Sequence, residues 1–273
     1  MSTSAIIRDN NKEKIKKRFM YRDFTIGEYY HVYNRGNRKE KIFLEESDMW
    51  RFLQTIRFFN DSHSSLNLFR SLVSLASDVN NIDVNNINEV ANSVFNLGWP
   101  KKLPNRDPLV KILCYHLSPN HFHLLLKEIR KGGISKFMQK IGIGFSKYSN
   151  IKYQNVGRIF QSPYKIKIIM EQRYLEYLMV YIQVINVLEL FPGGLDEALK
   201  NPKKAISFVD NYSFSSHPDY AGLRKSLIID KDLLAKIFPS PKKYREFVYQ
   251  ILKGKSFPQG ETISQFLGDL RLE

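Results

Sequence analysis

The sequence has a single cysteine, Cys114, so no disulfide can form within the chain. It also lacks a long apolar run. Its most apolar stretch, residues 174–190, is interrupted by Glu176, Gln183, Asn186 and Glu189, which is too polar for a bilayer span and suits a buried helix. The opening residues MSTSAIIRDNNKEKIKKRF are charged where a secretory signal needs a continuous apolar segment. These features point to a cytoplasmic protein with no membrane partner. Acidic residues are scarce as well, with 27 Asp plus Glu against 42 Lys plus Arg and a formal net charge of +15. Such an excess attracts polyanions with an affinity that falls as salt rises.

The excess is unevenly placed. Residues 127–173 hold eleven bases and two acids, Glu128 and Glu171, whereas residues 61–97 hold one base, Arg70, and four acids. This distribution predicts one phosphate-facing surface from the first segment and a separate insertion from the second. Residues 1–22, with the run KEKIKKRFMYR, form a basic tail. EYYHVYNRG (28–36) is aromatic and β-branched and ends in a turn, so it reads as a strand. Residues 45–60 follow as a helix, with acids in the first turn and Trp50, Leu53, Ile56 and Phe59 on one stripe. An Asn- and Ser-rich insertion, 61–106, ends in GWPKKLPNRDP. KILCYHLS (111–118) and HFHLLLKE (121–128), joined by Pro119-Asn120, form a hairpin.

Residues 134–153 predict another helix, with Ile134, Phe137, Met138, Ile141, Phe145 and Tyr148 buried. Gly142 and Gly144 in this helix imply close packing or a bend. RIFQSPYKIKII (158–169) predicts a strand whose Pro163 requires an edge or a bulge. The fold class is therefore α+β: a ferredoxin-like antiparallel sheet backed by helices, with a helical insert and a small helical C-terminal extension over 191–273.

His121 and His123 alternate on their strand, so both imidazoles leave the same face while Phe122 enters the core. Two such ligands with an oxygen donor and water can hold a divalent ion on a phosphodiester. An isolated pair of histidines alternating on a half-solvated strand more often binds no metal at all. What separates these readings is the order of the surrounding blocks: YYHVYNRG, CYHLSPNHFHLLLKE, GISKFMQKIGIGFSKYSNIKYQNVGRIFQSPYK, YLMVYIQVINVLEL and NYSFSSHPDY.

In that order the blocks resemble the HUH single-tyrosine transposases, and among them the REP-associated tyrosine transposases. The resemblance implies a catalytic domain over 23–190, binding of single-stranded or hairpin DNA, Mg²⁺ or Mn²⁺ at His121 and His123, and a homodimer in which the tyrosine helix can complete the partner's site. It assigns Tyr181 as the nucleophile, with Tyr177 as a lesser alternative, and a 5′-phosphotyrosine intermediate. Family members place Asn or Gln four residues after the nucleophile as a third ligand, where this chain has Ile185. Asn186 becomes the candidate if a π-bulge between Tyr181 and Asn186 absorbs one extra residue, because on a regular helix it would lie roughly 140° from Tyr181. Arg35, Lys136, Lys140, Lys147, Arg158, Lys165 and Lys167 are the candidate phosphate contacts, with Phe160, Tyr164 or Tyr148 available to stack on bases. Two rivals stay open. Ile185 favours a DNA-binding protein that has lost catalysis; alternatively, a phosphodiesterase could activate water and leave Tyr181 structural.

Overall fold

The computed structural model describes residues 24–63, 99 and 104–254. The basic tail, most of the insertion with its expected helical character, and the last nineteen positions lie outside the described residues. Four strands, β1 (Tyr29–Arg35), β2 (Val110–Ser118), β3 (His121–Glu128) and β4 (Lys165–Ile169), form one antiparallel sheet in the order β2-β3-β1-β4. Helix α1 (Glu46–Phe58) joins β1 to the segment before β2, and α2 (Gly133–Lys152) joins β3 to β4. This βαββαβ order is the ferredoxin-like arrangement expected from the sequence.

Strand alternation gives the sheet two different faces. Tyr30 and Val32 of β1 and Phe122, Leu124 and Leu126 of β3 pack on α1 and α2, through Phe52, Leu53, Ile56, Phe137, Ile141 and Phe145. His31 and Tyr33 of β1, and His121, His123 and Leu125 of β3, fall on the opposite face. β2 changes parity midway. Val110 and Ile112 join the α1/α2 core, but a bulge between Ile112 and Cys114 means that Tyr115 and Leu117 do so afterwards. Cys114 and His116 are thereby turned to the other face, the re-aiming that an extra residue in one strand produces.

Helix α3 (Gln172–Val180) covers that second face and runs into a π-helical turn, Tyr181–Ile185, and one further α turn, α4 (Asn186–Leu188). Five more helices follow, α5 (Gly194–Lys200), α6 (Pro202–Asp210), α7 (His217–Tyr220), α8 (Asp232–Ile237) and α9 (Pro241–Leu252). Their apolar sides share a core with α3, Leu113 and Leu125. The C-terminal residues through 252 are thus helical and pack against the sheet's second layer.

One strand boundary differs from the sequence expectation. The continuous ladder with β1 is confined to Lys165–Ile169; residues 161–164 interrupt it, and beyond them Phe160 forms an isolated antiparallel bridge with Gly36 while the Gln161 N–H donates to the Arg35 carbonyl. Pro163 has no backbone N–H and sits in the interruption between these two paired stretches, on the edge strand. Gly144 meets the expectation of close packing: a Cβ there would approach the Phe59 ring to 2.2 Å, whereas the space around Gly142 is open.

Candidate active site

A two-residue turn fixes the register of the β2/β3 hairpin, so His116 stands opposite His123 and Ser118 opposite His121. On the other side of β3, Tyr33 is the register partner of His123, and His31 is its diagonal neighbour. Four imidazoles therefore gather on one face of the sheet. The ring centroids of His121 and His123 are 5.1 Å apart, those of His31 and His123 5.1 Å, and those of His116 and His121 6.0 Å. Burial, with the nearby Lys167 charge second, lowers the His31 pKa to about 3. Burial and then Arg35 lower that of His121 to about 4. His116 and His123 are held well below the ordinary range, mainly by burial and then by their histidine neighbours. All four rings are neutral at physiological pH.

Tyr181 is the first residue of the π turn. Its ring stands edge-on to His123 at 5.9 Å and to His31 at 6.4 Å between centroids. Tyr177, one turn earlier, instead packs on Phe247 at 5.7 Å. The turn closes through the backbone N–H of Asn186, which donates to the Tyr181 carbonyl five residues back. The Asn186 side-chain nitrogen donates to the same carbonyl at 3.0 Å. The wide turn that the sequence required between Tyr181 and Asn186 is therefore present. Ile185, at the position of the missing ligand, is buried in the core. A cavity of about 320 Å³ brings Tyr181, Asn186 and Glu189 together with His121, His123 and Arg35.

Residues 105–184 match the family described as "Transposase IS200 like". Over those residues the chain is similar to the IS200-like transposases. A solved structure of a REP-associated tyrosine transposase bound to a REP hairpin is 15% identical in sequence, covering 75% of this chain and 87% of that one at a TM-score of 0.38. No curated protein matches the chain.

The chemistry of the donor set fits a divalent cation. Neutral imidazoles offer lone pairs, and a ligating histidine usually donates its other ring N–H to a fixed acceptor. His121 Nδ1 lies 2.7 Å from Asn120 Oδ1, which keeps Nε2 for the site. Asn186 commits its amide nitrogen to Tyr181 and retains its carbonyl oxygen as a hard donor, the type that Mg²⁺ prefers. Among the described residues no cluster of three His, Cys, Asp or Glu side chains forms a complete cage. The fit therefore depends on two imidazoles, the Asn186 oxygen and oxygens from water or substrate.

The basic residues do not form the single face expected from residues 127–173. Lys127 pairs with Asp232, Arg130 with Asp107, and Lys152 with Asp48 and Glu45. Lys136 donates to the Ser62 carbonyl, and Lys140 to those of Asp61 and His63, tying α2 to the start of the insertion. Arg35 and Lys165 line the small cavity, and Lys167, opposite His31 on β4, donates to the Tyr174 hydroxyl at 2.9 Å. Lys136 and Arg158 line a larger cavity of about 1070 Å³ with Phe160 and Tyr164, between α2 and the 157–164 segment. Lys147 is exposed on α2.

His31, His116 and Glu189 were not singled out by the sequence. His116 was within reach, because a two-residue turn sets it opposite His123. His31 required the sheet order, which no local pattern carries. Glu189 lies three residues after Asn186 and enters the cavity only because the π turn rotates the helix beyond it.

Proposed function

We propose that this chain is an IS200-like transposase that cleaves single-stranded or hairpin-bearing DNA and rejoins it through a covalent bond to Tyr181. The supporting observation is that the tyrosine ring, two neutral imidazoles and the Asn186 amide share one cavity within a single chain. The Tyr181 oxygen attacks a backbone phosphorus, a P–O bond to Tyr181 forms, and the bond from phosphorus to the DNA 3′-oxygen breaks. The phenol's proton is released and the departing oxygen takes one up through solvent, leaving a free 3′-hydroxyl and a 5′-phosphotyrosine. Attack by a second 3′-hydroxyl reverses the step on a new strand, so the bond's energy is retained without ATP.

Mg²⁺ or Mn²⁺ bound by His121, His123 and Asn186 would polarise the phosphate and stabilise its transition-state charge. Arg35 and Lys165 orient the phosphate from the cavity rim. The Lys136–Arg158 groove, with Phe160 and Tyr164 available for stacking, guides the strand beyond it. The reading includes a cytoplasmic homodimer, as in the resembling family.

Incubation with Mn²⁺ and end-labelled hairpin oligonucleotides, resolved on a denaturing gel, tests the assignment. A protein–DNA adduct that disappears in Tyr181→Phe is expected. Cleavage without adduct would establish water as nucleophile, and a salt-sensitive mobility shift without cleavage would leave only DNA binding.

A further inference from the structure

The histidine pair that joins β1 to β3 spans the cavity wall: His123 lines the cavity and His31 lies behind it. His31 is fully buried, and its Nε2 lies 2.9 Å from Nδ1 of His123. One of these nitrogens carries the shared proton. If His31 donates, His123 must hold its own proton on Nε2 and has no lone pair to offer the cavity. If His123 donates from Nδ1, its Nε2 is a ligand, and His31 carries its remaining proton on Nδ1. That Nδ1 is buried and has no hydrogen-bond partner among the described residues. A buried donor without a partner costs about 1–3 kcal/mol, so the ligand-competent arrangement has to be sustained by what it enables at the other end of the pair.

Resting on the metal-site reading above, we propose that His31 is a positioning residue: its Nε2 accepts the Nδ1–H of His123 and so keeps the His123 Nε2 lone pair directed at the bound cation. Ligating histidines commonly meet this need with a carboxylate or a backbone carbonyl. A neutral imidazole does so without adding negative charge beneath the site, and it leaves the cation's full charge for the phosphate. The interchange of the two arrangements moves one proton within each ring and conserves charge. His121 is oriented separately through Asn120, so the two ligands have independent supports.

The test measures Mn²⁺ affinity by the electron paramagnetic resonance signal of free ion, on the full chain, for wild type and for His31→Phe, His31→Gln and His121→Ala. It also records the ¹⁵N shifts of the imidazoles in Mg²⁺-saturated wild type. His31→Phe keeps the buried ring but removes the acceptor, and a 10- to 100-fold weaker Mn²⁺ affinity is expected from loss of such a partner. His31→Gln restores an acceptor and recovers most of the loss, and the ¹⁵N spectrum shows His123 protonated on Nδ1. A merely structural role would lower the melting temperature of His31→Phe without changing its affinity, and that result overturns the proposal. So does a His123 Nδ1 without a proton in the Mg²⁺-bound wild type, a measurement that needs no variant to fold. If wild type binds no Mn²⁺, or His121→Ala binds it equally well, the metal-site reading itself falls. Wild-type binding that His121→Ala abolishes and His31→Phe leaves intact removes only the role of His31.

Discussion

Tyr177 and Tyr181 lie one helical turn apart in a chain with many tyrosines, yet only Tyr181 reaches the imidazoles. Tyr177→Phe should therefore leave covalent adduct formation unchanged on the same gel on which Tyr181→Phe removes it. Ile185 makes a second test at this scale. It occupies the position where a ligand was expected, but its side chain is buried among apolar groups. Ile185→Gln should not raise Mn²⁺ affinity, and chemical denaturation should show a loss of about 2 kcal/mol or more, because a buried amide without a partner is unfavourable. The His-x-His pair and Tyr181 were legible because each is tied to a local pattern, strand alternation or helix position. His31 was not, since its role depends on which strand lies beside β3 and that follows from the whole sheet.

The π turn is the element on which the site depends. It adds one residue between Tyr181 and Asn186 relative to the family spacing, so removing one should restore a regular helix with Asn four positions after Tyr181. Deletion of Ile185 is expected to retain Mn²⁺ binding within roughly tenfold of wild type, whereas insertion of an alanine at the same point should abolish it. The need for such a turn was readable as a mismatch of spacing. Its hydrogen-bond pattern was not, because no residue type marks a π turn.

Helix α2 offers a contrast between neighbouring glycines. Gly142→Ala should stabilise the protein by up to about 1 kcal/mol from helix propensity. Gly144→Ala should destabilise it by roughly 1–3 kcal/mol, as the new methyl group collides with Phe59. Thermal melts of the two variants should shift in opposite directions.

The link between α1 and α2 is pH-sensitive. Asp48 accepts bonds from the Tyr153 and Tyr148 hydroxyls and from Lys152. Burial raises its pKa, but Lys152, Tyr153, the Glu45 backbone and Tyr148 outweigh burial and hold it below the ordinary value. The stabilisation is complete above about pH 4, the usual aspartate range, and is lost as pH falls through the depressed value. Asp48→Asn should flatten stability against pH in that acid window and lower stability at neutral pH by roughly 3 kcal/mol.

For the whole molecule, the net charge of +15 overstates what is available to DNA. Lys127, Arg130 and Lys152 are engaged in ion pairs, and Lys140 is bonded to backbone carbonyls. The sequence disclosed the amount of charge and its clustering along the chain. It did not disclose the partners, because Asp232, Asp107 and Asp48 are distant in sequence from the bases that they bind. Substituting Lys147 or Arg158 by Gln should reduce the slope of log affinity against log salt for single-stranded DNA by about 0.7 for each phosphate that the side chain no longer neutralises. Substituting Lys127 should leave that slope unchanged.

The most direct test of a tyrosine-linked strand transfer is mass spectrometry of the protein after incubation with Mn²⁺ and a cleavable single-stranded substrate, followed by nuclease and protease digestion. The expected product is a nucleotide joined through its 5′-phosphate to the peptide containing Tyr181, with the fragment series placing it on that residue. Cleaved DNA with unmodified Tyr181, or the adduct on another tyrosine, would contradict strand transfer through Tyr181.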